Sequence, residues 1–340
     1  MLDGEAEPGG SWSRYCDSLT PFSPARYSGL PGLPFPGDPE RYPTRDEVVA
    51  YLRSYAARFG LPFRGERWVL RGCRADGGFR VLTARGEEHA ARTVAVAGGA
   101  SSEPHLPWLE GWDRYRACVL HSADYRNPEP FRGARVVVVG AGNSAMQIAV
   151  ELARVARVTL ATREPVRFLT QCLFGRDVHF WLRLTDLDHL PVDPDHRTSV
   201  LDAGRYREAI RAGRPDRRPM FRSLTSTGVA WQDGREEPAD VVLFATGFRP
   251  AYPVLADLGA LGPRARVLHH RGESTSVPGL FFVGLVGQRN HASATLRGAG
   301  ADARVVVERL LRHLARRPGR SRERRDVRAA RCLRPLVGCC

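Results

Sequence analysis

The clearest hydrophobic pattern in the chain is a continuous run of β-branched residues followed directly by glycines. The run is Arg135-Val136-Val137-Val138-Val139, and Gly140-Ala141-Gly142-Asn143-Ser144-Ala145 comes next. A run without polar alternation is typical of a parallel strand that is buried on both faces. Residues that favour a helix then continue to Ala153. The pattern therefore predicts a strand, a tight turn and a helix.

The glycines of this turn match the needs of a dinucleotide site. Gly140 permits the turn, Gly142 lets the backbone approach a pyrophosphate, and Ala145 takes the place of a third glycine where the helix packs on the strand. The pyrophosphate would lie on unpaired amides at the positive end of the helix, so we expect Asn143 and Ser144 in the same site. A lone motif of this kind is weak evidence, and the next strand has to support it.

The next predicted strand indicates which dinucleotide is bound. It reads Arg157-Val158-Thr159-Leu160-Ala161-Thr162-Arg163, and it ends about twenty residues after the glycines, where an acid would bind the ribose 2′-hydroxyl of NAD. No acid is present there. Arg163, backed by Arg167, suits a 2′-phosphate because a guanidinium binds phosphate through paired hydrogen bonds. We therefore predict NADPH; the alternative is an ordinary strand and helix with two solvated arginines.

The other hydrophobic segments predict the remaining elements, and several predicted strands end in small residues. Such endings allow a backbone or a ligand to approach closely at the carboxyl end of a strand. Residues 165–235 show no regular period, and their aromatic side chains are more often core than substrate pocket. The predicted elements are a helix over 44–60, a β-meander from 68 to about 93, strands that end at Gly98, at Ala245-Thr246-Gly247 and at Gly284, and a helix over 300–314.

The charge of the chain is concentrated at its C-terminus. The formal net charge is +14, but residues 312–340 hold ten arginines against Glu323 and Asp326. Every basic residue is Arg and none is Lys, which we interpret as coding bias. A tail of this composition, over 316–340, is usually disordered. We therefore expect no specific nucleic-acid partner.

The cysteines and the apolar runs exclude several classes of protein. The seven cysteines form no Cys-x-x-Cys pair, so neither a zinc site nor a disulfide framework is expected, and we predict no metal. No apolar run approaches the ~20 residues that span a bilayer, and no signal-peptide pattern opens the chain. These observations favour a cytoplasmic protein without a membrane span. At 340 residues the chain should form about two domains.

The first residues are unusual for the start of a nucleotide-binding domain. Asp3 is followed by a turn, Pro8-Gly9-Gly10-Ser11-Trp12. An acid before such a turn is expected at the end of a second Rossmann strand. On this interpretation the first strand, its glycine turn and its helix are missing, and the sheet lacks its central strand.

Four landmarks in order resemble the flavin-containing monooxygenases, particularly their bacterial relatives. The similarity runs from residue 1 to about 314, and four ordered matches are more specific than any one of them. The landmarks are the Pro8–Trp12 turn, the segment from Tyr115 through His121-Ser122 to Tyr125, which is similar to Phe-x-Gly-x-x-x-His-Ser-x-x-Tyr, the turn Gly140–Ala145, and Ala245-Thr246-Gly247-Phe248.

This resemblance implies an α/β fold with two Rossmann-like dinucleotide-binding domains, as in glutathione reductase, and an N-terminally truncated FAD domain. The FAD domain would take residues 1–130 and 251–315, with the NADPH domain over 131–250 inserted between them. NADPH would reduce FAD, and O2 would then form a C4a-(hydro)peroxyflavin. This species would oxygenate sulfur, nitrogen or a carbonyl of a small-molecule substrate. A homo-oligomer is possible, and the sequence indicates no catalytic acid or base.

The resemblance also implies cofactor contacts outside the glycine turn. FAD would be held by residues of the first turn and by the end of the last strand, and the linking segments would approach both nucleotides. His121 is equally consistent with a satisfied polar residue in an interdomain linker. The implied residues are Asp3, Gly9, Gly10, Ser11, Trp12 and Gly284 for FAD, and His121, Ser122, Ala245, Thr246 and Gly247 beside the two cofactors.

Two departures from the family pattern leave alternatives open. Ala117 replaces the glycine of the fingerprint, and the N-terminal Gly-x-Gly-x-x-Gly that cradles the FAD pyrophosphate is absent from the sequence. A noncatalytic NADP-binding remnant is therefore one alternative. A flavin-dependent disulfide reductase is a weaker one, because that chemistry needs a redox-active dithiol. Tyr125 fits the oxygenating fingerprint better than the Baeyer–Villiger version, which has Trp there.

Overall fold

The computed structural model of the chain describes residues 1–75, 77–99, 101–192 and 199–316. The predicted tail therefore lies outside the described residues from 317 onwards. The helices are α1 (Arg45–Arg58), α2 (Asn143–Leu152), α3 (Val178–Leu184), α4 (Arg205–Arg211) and α5 (Leu296–Ala315). The strands are β1 (Val69–Ala75), β2 (Gly78–Thr83), β3 (Glu88–Ala91), β4 (Val94–Val96), β5 (Glu103–Pro104), β6 (Cys118–His121), β7 (Arg135–Val139), β8 (Arg157–Thr162), β9 (Phe168–Thr170), β10 (Cys172–Leu173), β11 (Arg176–Asp177), β12 (Val200–Asp202), β13 (Asp216–Pro219), β14 (Ser223–Leu224), β15 (Gly228–Ala230), β16 (Glu236–Pro238), β17 (Val241–Phe244), β18 (Phe248–Arg249), β19 (His269–His270), β20 (Glu273–Ser274) and β21 (Leu280–Phe282).

The β-branched run forms β7, the central strand of a five-stranded sheet. The order is β13-β8-β7-β17-β6, and all neighbouring pairs are parallel. Val136 and Val138 pack against α2, whereas Val137 and Val139 pack on the opposite face, so β7 is buried on both sides as predicted. The strand order reverses between β7 and β17. In open α/β sheets a ligand binds in the crevice at the carboxyl ends of such strands.

A second, four-stranded sheet has the order β19-β20-β21-β4, and β4 runs parallel to β21. The antiparallel meander β1-β2-β3 packs against it through Phe79 and Val81, which contact Leu280 and Phe282 in one hydrophobic cluster. Within the described residues, no strand pairs with the other side of β4. Leu2 forms only a single parallel bridge, with Arg64.

Two short chain segments cross between the sheets and hold each other. β5 and β18 pair in antiparallel fashion, with Phe248 opposite Pro104 and Arg249 opposite Glu103. The predicted division at residues 131 and 250 stays a prediction. The five-stranded sheet nevertheless includes β6, which precedes residue 131 and pairs with β17.

The remaining elements differ from the sequence predictions mainly at their ends. α1 has the predicted Thr44 N-cap, completed by Glu47 in a capping box, and α5 begins at Leu296 rather than at 300. The prediction that 165–235 is irregular was wrong, because this segment contains β9–β15, α3 and α4. Most of these strands have two or three residues, which is too short for a hydrophobic period to appear. Within the described residues, no helix has the length and apolar character needed to cross a membrane.

Candidate functional site

The turn after β7 requires glycine at its first position. Gly140 has a φ of 146°, and a Cβ atom there would lie 2.4 Å from the carbonyl oxygen of Ala245 and 3.1 Å from the Cβ of Ala145. Ala145 is fully buried between helix and sheet. The predicted small residues at 140 and 145 therefore let α2 and the end of β17 approach each other closely.

The N-terminus of α2 is open and has no side-chain cap. Gly142 is its N-cap residue, and a Cβ there would meet nothing within 4 Å. By contrast, Thr44 and Thr295 cap α1 and α5 with their side chains. The amides of the first turn of α2 are thus free to bind an anion at the positive end of the helix dipole.

Two polar residues of this first turn have different environments. Ser144 is exposed, so its hydroxyl can contact a bound phosphate. The amide of Asn143 instead holds a neighbouring loop, because its Oδ1 accepts from the N–H of Leu201 at 3.2 Å and its Nδ2 donates to the carbonyl of Ser199 at 3.4 Å. Asn143 is therefore left with its backbone N–H for a ligand.

Positive charge gathers at the same edge of the five-stranded sheet. Arg163 follows β8, is exposed, and forms no ion pair with any described residue. Its positive charge acts on His105, in the linker that follows β5. Burial lowers the pKa of His105, and the charges of Arg249 and Arg163 lower it further. The carboxylate of the next residue, Glu164, lies 3.9 Å from Arg167. Arg163 itself has no carboxylate partner among the described residues, which suits a phosphate.

The segment Ala245-Thr246-Gly247 joins the end of β17 to the linkers. The N–H of Ala245 donates to the carbonyl of Val139 at 2.8 Å, and the hydroxyl of Thr246 donates to the carbonyl of His105. Gly247 has a φ of 80°, and its carbonyl accepts from the N–H of His105 at 3.0 Å. These predicted residues therefore lie beside the α2 crevice and fix the interdomain connection.

The residues of the family fingerprint stabilise both ends of β17. The hydroxyl of Tyr115 donates to the carbonyl of Ala239 at 2.9 Å, before the strand, and burial raises the pKa of Tyr115 to about 12. His121 Nε2 lies 3.0 Å from the carbonyl of Gly247, after the strand. Ser122 follows His121, and its N–H donates to the carbonyl of Phe244 at 2.8 Å.

The geometry of His121 indicates a neutral ring with its proton on Nε2. Nδ1 accepts from the N–H of Ala123 at 3.1 Å, so Nε2 must carry the proton that it shares with Gly247. Burial lowers the pKa of His121. These contacts support the interpretation of His121 as a satisfied residue of the linker.

The other fingerprint positions are also explained by local contacts. The hydroxyl of the buried Tyr125 donates to Glu151 of α2 at 2.8 Å, and burial raises its pKa, helped by this hydrogen bond. Ala117 is exposed and does not have a positive φ. Its backbone therefore does not need the glycine of the fingerprint.

The predicted FAD residues at the start of the chain form a separate group. The N–H of Asp3 donates to the carbonyl of Arg64 at 3.1 Å, and its Oδ1 accepts from the N–H of Glu5 at 2.9 Å. The second carboxylate oxygen of Asp3 has no hydrogen bond to a described residue. This oxygen could accept from a ribose hydroxyl.

The turn after Asp3 depends on its glycines and on aromatic packing. Gly9 and Gly10 have φ values of 139° and 55°. Ser11 Oγ lies 3.1 Å from the hydroxyl of Tyr15, and Trp12 packs in a cluster that also contains Leu296, the first residue of α5. The turn is thereby brought close to the N-terminus of α5.

The carboxyl edge of the four-stranded sheet also ends in glycines. Gly284 follows β21 with a φ of 85°, and a Cβ there would meet nothing within 4 Å. Gly99 follows β4 with a φ of 69° and is equally open. These positions allow a ligand to approach the backbone.

The two predicted nucleotides fit the described residues unequally. NADPH fits the five-stranded sheet, because the backbone at Gly142 is open, the N-terminus of α2 has no side-chain cap, and Arg163 has no ion pair among the described residues. For FAD, Asp3 could contact a ribose, and the open backbone at Gly284 could contact the flavin part of the cofactor. No uncapped α-helix directly follows a strand of the four-stranded sheet within the described residues. The FAD pyrophosphate therefore has no cradle there.

Sequence reasoning missed several residues that the fold brings to this edge. His105, Arg249 and Arg217 lie in short strands or linkers, and Arg217 donates from Nε to the hydroxyl of Thr162 at 2.9 Å. Arg217 stands out only once β13 is known to be a strand, because the two adjacent arginines then lie on opposite faces. Arg218 is paired with carboxylates on its face. No group of three or more side chains suited to a metal ion occurs in the described ranges.

Comparisons with known proteins agree on one class of enzyme. Residues 2–284 match the family of pyridine nucleotide-disulphide oxidoreductases. An uncharacterized CzcO-like oxidoreductase of Geobacillus kaustophilus is 31% identical, over 92% of this chain and 91% of that protein. Indole-3-pyruvate monooxygenase YUCCA1 of Oryza sativa is 31% identical, over 74% and 71%. The flavin-containing monooxygenase of Stenotrophomonas maltophilia superposes with a TM-score of 0.81 at 32% identity, over 92% and 91%.

These comparisons confirm the family resemblance and the α/β class with two nucleotide-binding parts. The individual site residues and the domain boundaries stay predictions. Within the described residues no disulfide links Cys16, Cys73, Cys118 or Cys172. No Cys-x-x-Cys occurs anywhere in the sequence, so the residues supply no dithiol of the kind that disulfide reduction needs.

Proposed function

We propose that this chain, which belongs to the pyridine nucleotide-disulphide oxidoreductase family and is a flavin-dependent oxidoreductase, is a monooxygenase that uses NADPH, FAD and O2. When bound, NADPH supplies a hydride to FAD, and the reduced flavin activates O2. The oxygen acceptor would be a small molecule with a nucleophilic sulfur or nitrogen, or a carbonyl.

One observation carries the proposal: the open, uncapped N-terminus of α2 and Arg163, which has no ion pair with a described residue, follow the carboxyl ends of the neighbouring strands β7 and β8. Backbone N–H groups of Asn143 and Ser144 would bind the pyrophosphate, and Arg163 would bind the 2′-phosphate. Gly140 holds the turn close to Ala245. A nucleotide held here would lie at the edge of the sheet where Thr246 and Gly247 contact the linker at His105.

The linkers would keep the two nucleotides in a fixed relation. Gly247 accepts hydrogen bonds from both His105 and His121, so one carbonyl ties together the two crossing segments and the end of β6. Such rigid positioning is the contribution a protein makes when the cofactor carries the chemistry. Asp3, near the start of the chain, and Gly284, after the last strand of the four-stranded sheet, would contact FAD.

The names of the relatives support an oxygenase. One is an indole-3-pyruvate monooxygenase and another is a flavin-containing monooxygenase. Tyr125, at the position where Baeyer–Villiger enzymes carry Trp, favours oxygenation of a heteroatom. A cytoplasmic location and a homo-oligomer stay predictions.

The proposal is tested with purified protein supplied with FAD. Anaerobic NADPH should bleach the visible flavin absorption, and ¹⁸O₂ should then place one ¹⁸O atom in a thioether such as methyl p-tolyl sulfide. In Gly142→Val the added side chain fills the cradle. NADPH should no longer bleach the flavin in this variant, while dithionite still does.

Two results would contradict the proposal. If NADPH is consumed with peroxide as the sole oxygen product across sulfur, nitrogen and carbonyl compounds, the chain is an oxidase or a reductase. If the protein binds NADP⁺ and retains no flavin, the noncatalytic NADP-binding alternative is supported. The uncovered side of β4 among the described strands is the observation that favours this alternative.

A further inference from the structure

We propose that Arg217 is a second arginine that recognises the 2′-phosphate of NADPH. It lies on β13, the strand that pairs with β8, and Arg163 follows β8. The inference rests on the proposed NADPH site and adds a specificity-determining residue to it. It follows from the register of β13 on β8, from the hydrogen bond between Arg217 and Thr162, and from the contrast with Arg218.

The register places Arg217 on the face of the sheet that carries α2. β13 runs parallel to β8, with Arg217 opposite Leu160, Arg218 opposite Ala161 and Pro219 opposite Thr162. Leu160 belongs to the core that includes α2, whereas Ala161 belongs to the core on the other face. Because side chains alternate along a strand, Arg217 shares the face of α2.

The side chain of Arg217 extends along β8 to its carboxyl end. Its Nε donates to the hydroxyl of Thr162 at 2.9 Å, and Thr162 is buried and directly precedes Arg163. This single hydrogen bond uses Nε alone. Both terminal nitrogens of the guanidinium are left, held at the start of the loop that carries Arg163.

The charge of Arg217 has no described partner, unlike that of its neighbour. Arg218 lies 2.8 Å from Asp216 and 2.7 Å from Glu237. Arg217 is half-buried and forms no ion pair with any described residue. A half-buried charge without a carboxylate gains from a bound anion. Since the pyrophosphate belongs to α2, the anion left for Arg163 and Arg217 is the 2′-phosphate.

The experiment compares NADP⁺ with NAD⁺, and 2′,5′-ADP with 5′-AMP, by calorimetric titration of the purified full chain without turnover. Arg217→Ala should weaken the binding of NADP⁺ and 2′,5′-ADP by about tenfold or more. Affinity for NAD⁺ and 5′-AMP should stay within about twofold, because these ligands lack the phosphate.

Two further variants separate recognition from a structural role. Thr162→Val removes the acceptor that orients Arg217 and should cause a smaller loss for NADP⁺ alone. Arg218→Ala, the matched control on the opposite face, should leave the NADP⁺ to NAD⁺ preference unchanged. If Arg217→Ala does not fold, Thr162→Val carries the test.

Equal losses for both nucleotides in the Arg217 and Thr162 variants would overturn the proposal, because a strand-holding residue affects both alike. An unchanged preference would also overturn it, while leaving the NADPH site intact. A wild-type chain that binds neither NADP⁺ nor 2′,5′-ADP would instead overturn the proposed function together with this inference.

Discussion

The five-stranded and four-stranded sheets both place glycines at the carboxyl ends of parallel strands, and they differ in the helix that comes after those glycines. After β7 the chain turns at Gly140 and enters α2, whose first amides have no side-chain cap. After β21 the chain passes Gly284 and reaches α5, which Thr295 caps. β7 is paired on both sides, whereas β4 pairs only with β21 among the described strands.

The difference shows that glycines alone do not make a nucleotide site. A phosphate needs unpaired amides in addition to an open backbone, and the described residues supply both at the end of β7. We therefore expect the NADP⁺ affinity to depend on the five-stranded sheet and to be independent of the four-stranded one. Substitutions in the two sheets test this separation, from the largest expected effect to the smallest.

Replacing Gly140 with Ala should have the largest effect. The new Cβ would lie 2.4 Å from the carbonyl oxygen of Ala245, at a φ of 146°. We expect a loss of more than about 2 kcal/mol in the free energy of unfolding, from backbone strain and overpacking, and loss of NADP⁺ binding. Urea unfolding and calorimetry measure the two effects.

The matched control is Gly284→Ala in the other sheet. This position also has a positive φ, 85°, but its Cβ would meet nothing within 4 Å. We expect a cost of only about 1–2 kcal/mol, from the backbone conformation, with unchanged NADP⁺ affinity. A Gly140→Ala protein that binds NADP⁺ as well as wild type would remove the basis of the comparison.

Replacing Arg163 with Ala should alter the choice of nucleotide. The loss of charged hydrogen bonds to the 2′-phosphate should weaken NADP⁺ binding by ~1.5–3 kcal/mol, while NAD⁺ binding is retained. Parallel titrations of the two nucleotides measure this effect. Equal losses for NADP⁺ and NAD⁺ would show that Arg163 does not contact the phosphate.

Replacing His121 with Ala should destabilise the carboxyl edge of the five-stranded sheet, where His121 at the end of β6 binds the segment that follows β17. Only the neutral ring accepts at Nδ1 from the N–H of Ala123 while its Nε2 donates to the carbonyl of Gly247, and we expect a loss of about 1–3 kcal/mol in the free energy of unfolding at pH 8. Burial lowers the pKa of His121 from its ordinary 6.5, so the unfolded chain binds more protons below pH 6.5.

The contribution of His121 is therefore complete above pH 6.5 and is lost as the pH falls through its lowered folded-state pKa. His105 and His269 have lowered pKa values as well, so the variant should reduce the pH dependence without abolishing it. Urea midpoints of wild type and variant at pH 8 and pH 5.5 test this. An identical pH dependence in both proteins would contradict the assignment.

The smallest effect on NADP⁺ affinity should come from Asp3→Asn, at the predicted FAD site. Asn keeps an oxygen that can accept from the N–H of Glu5, so the free energy of unfolding should change by less than about 0.5 kcal/mol. NADP⁺ affinity should not change, while retention of added FAD falls. A loss of NADP⁺ binding would mean that the two sites are not separable.

The sequence was informative where a long local signal existed. The valine run, the glycine turn and the strand that ends before Arg163 are all contained in one continuous stretch, so β7, α2 and β8 could be predicted. The role of Arg163 stays a prediction. The structural role of His121 stays open from sequence alone, because its partner Gly247 lies far along the chain. Arg217 could not be found at all, since β13 has only four residues and its pairing with β8 is set by tertiary packing.

The most direct measurement is a calorimetric titration of NADP⁺ and NAD⁺ into the wild-type chain and into Gly142→Val. We expect one NADP⁺ site per chain, bound at least about tenfold more tightly than NAD⁺. In Gly142→Val the affinity for both nucleotides should be lost at a cost of no more than about 1 kcal/mol in the free energy of unfolding, because the position is open and the cost is that of a poorer N-cap residue. Equal affinities in wild type, or unchanged binding by Gly142→Val, would contradict the assignment of the nucleotide to the N-terminus of α2.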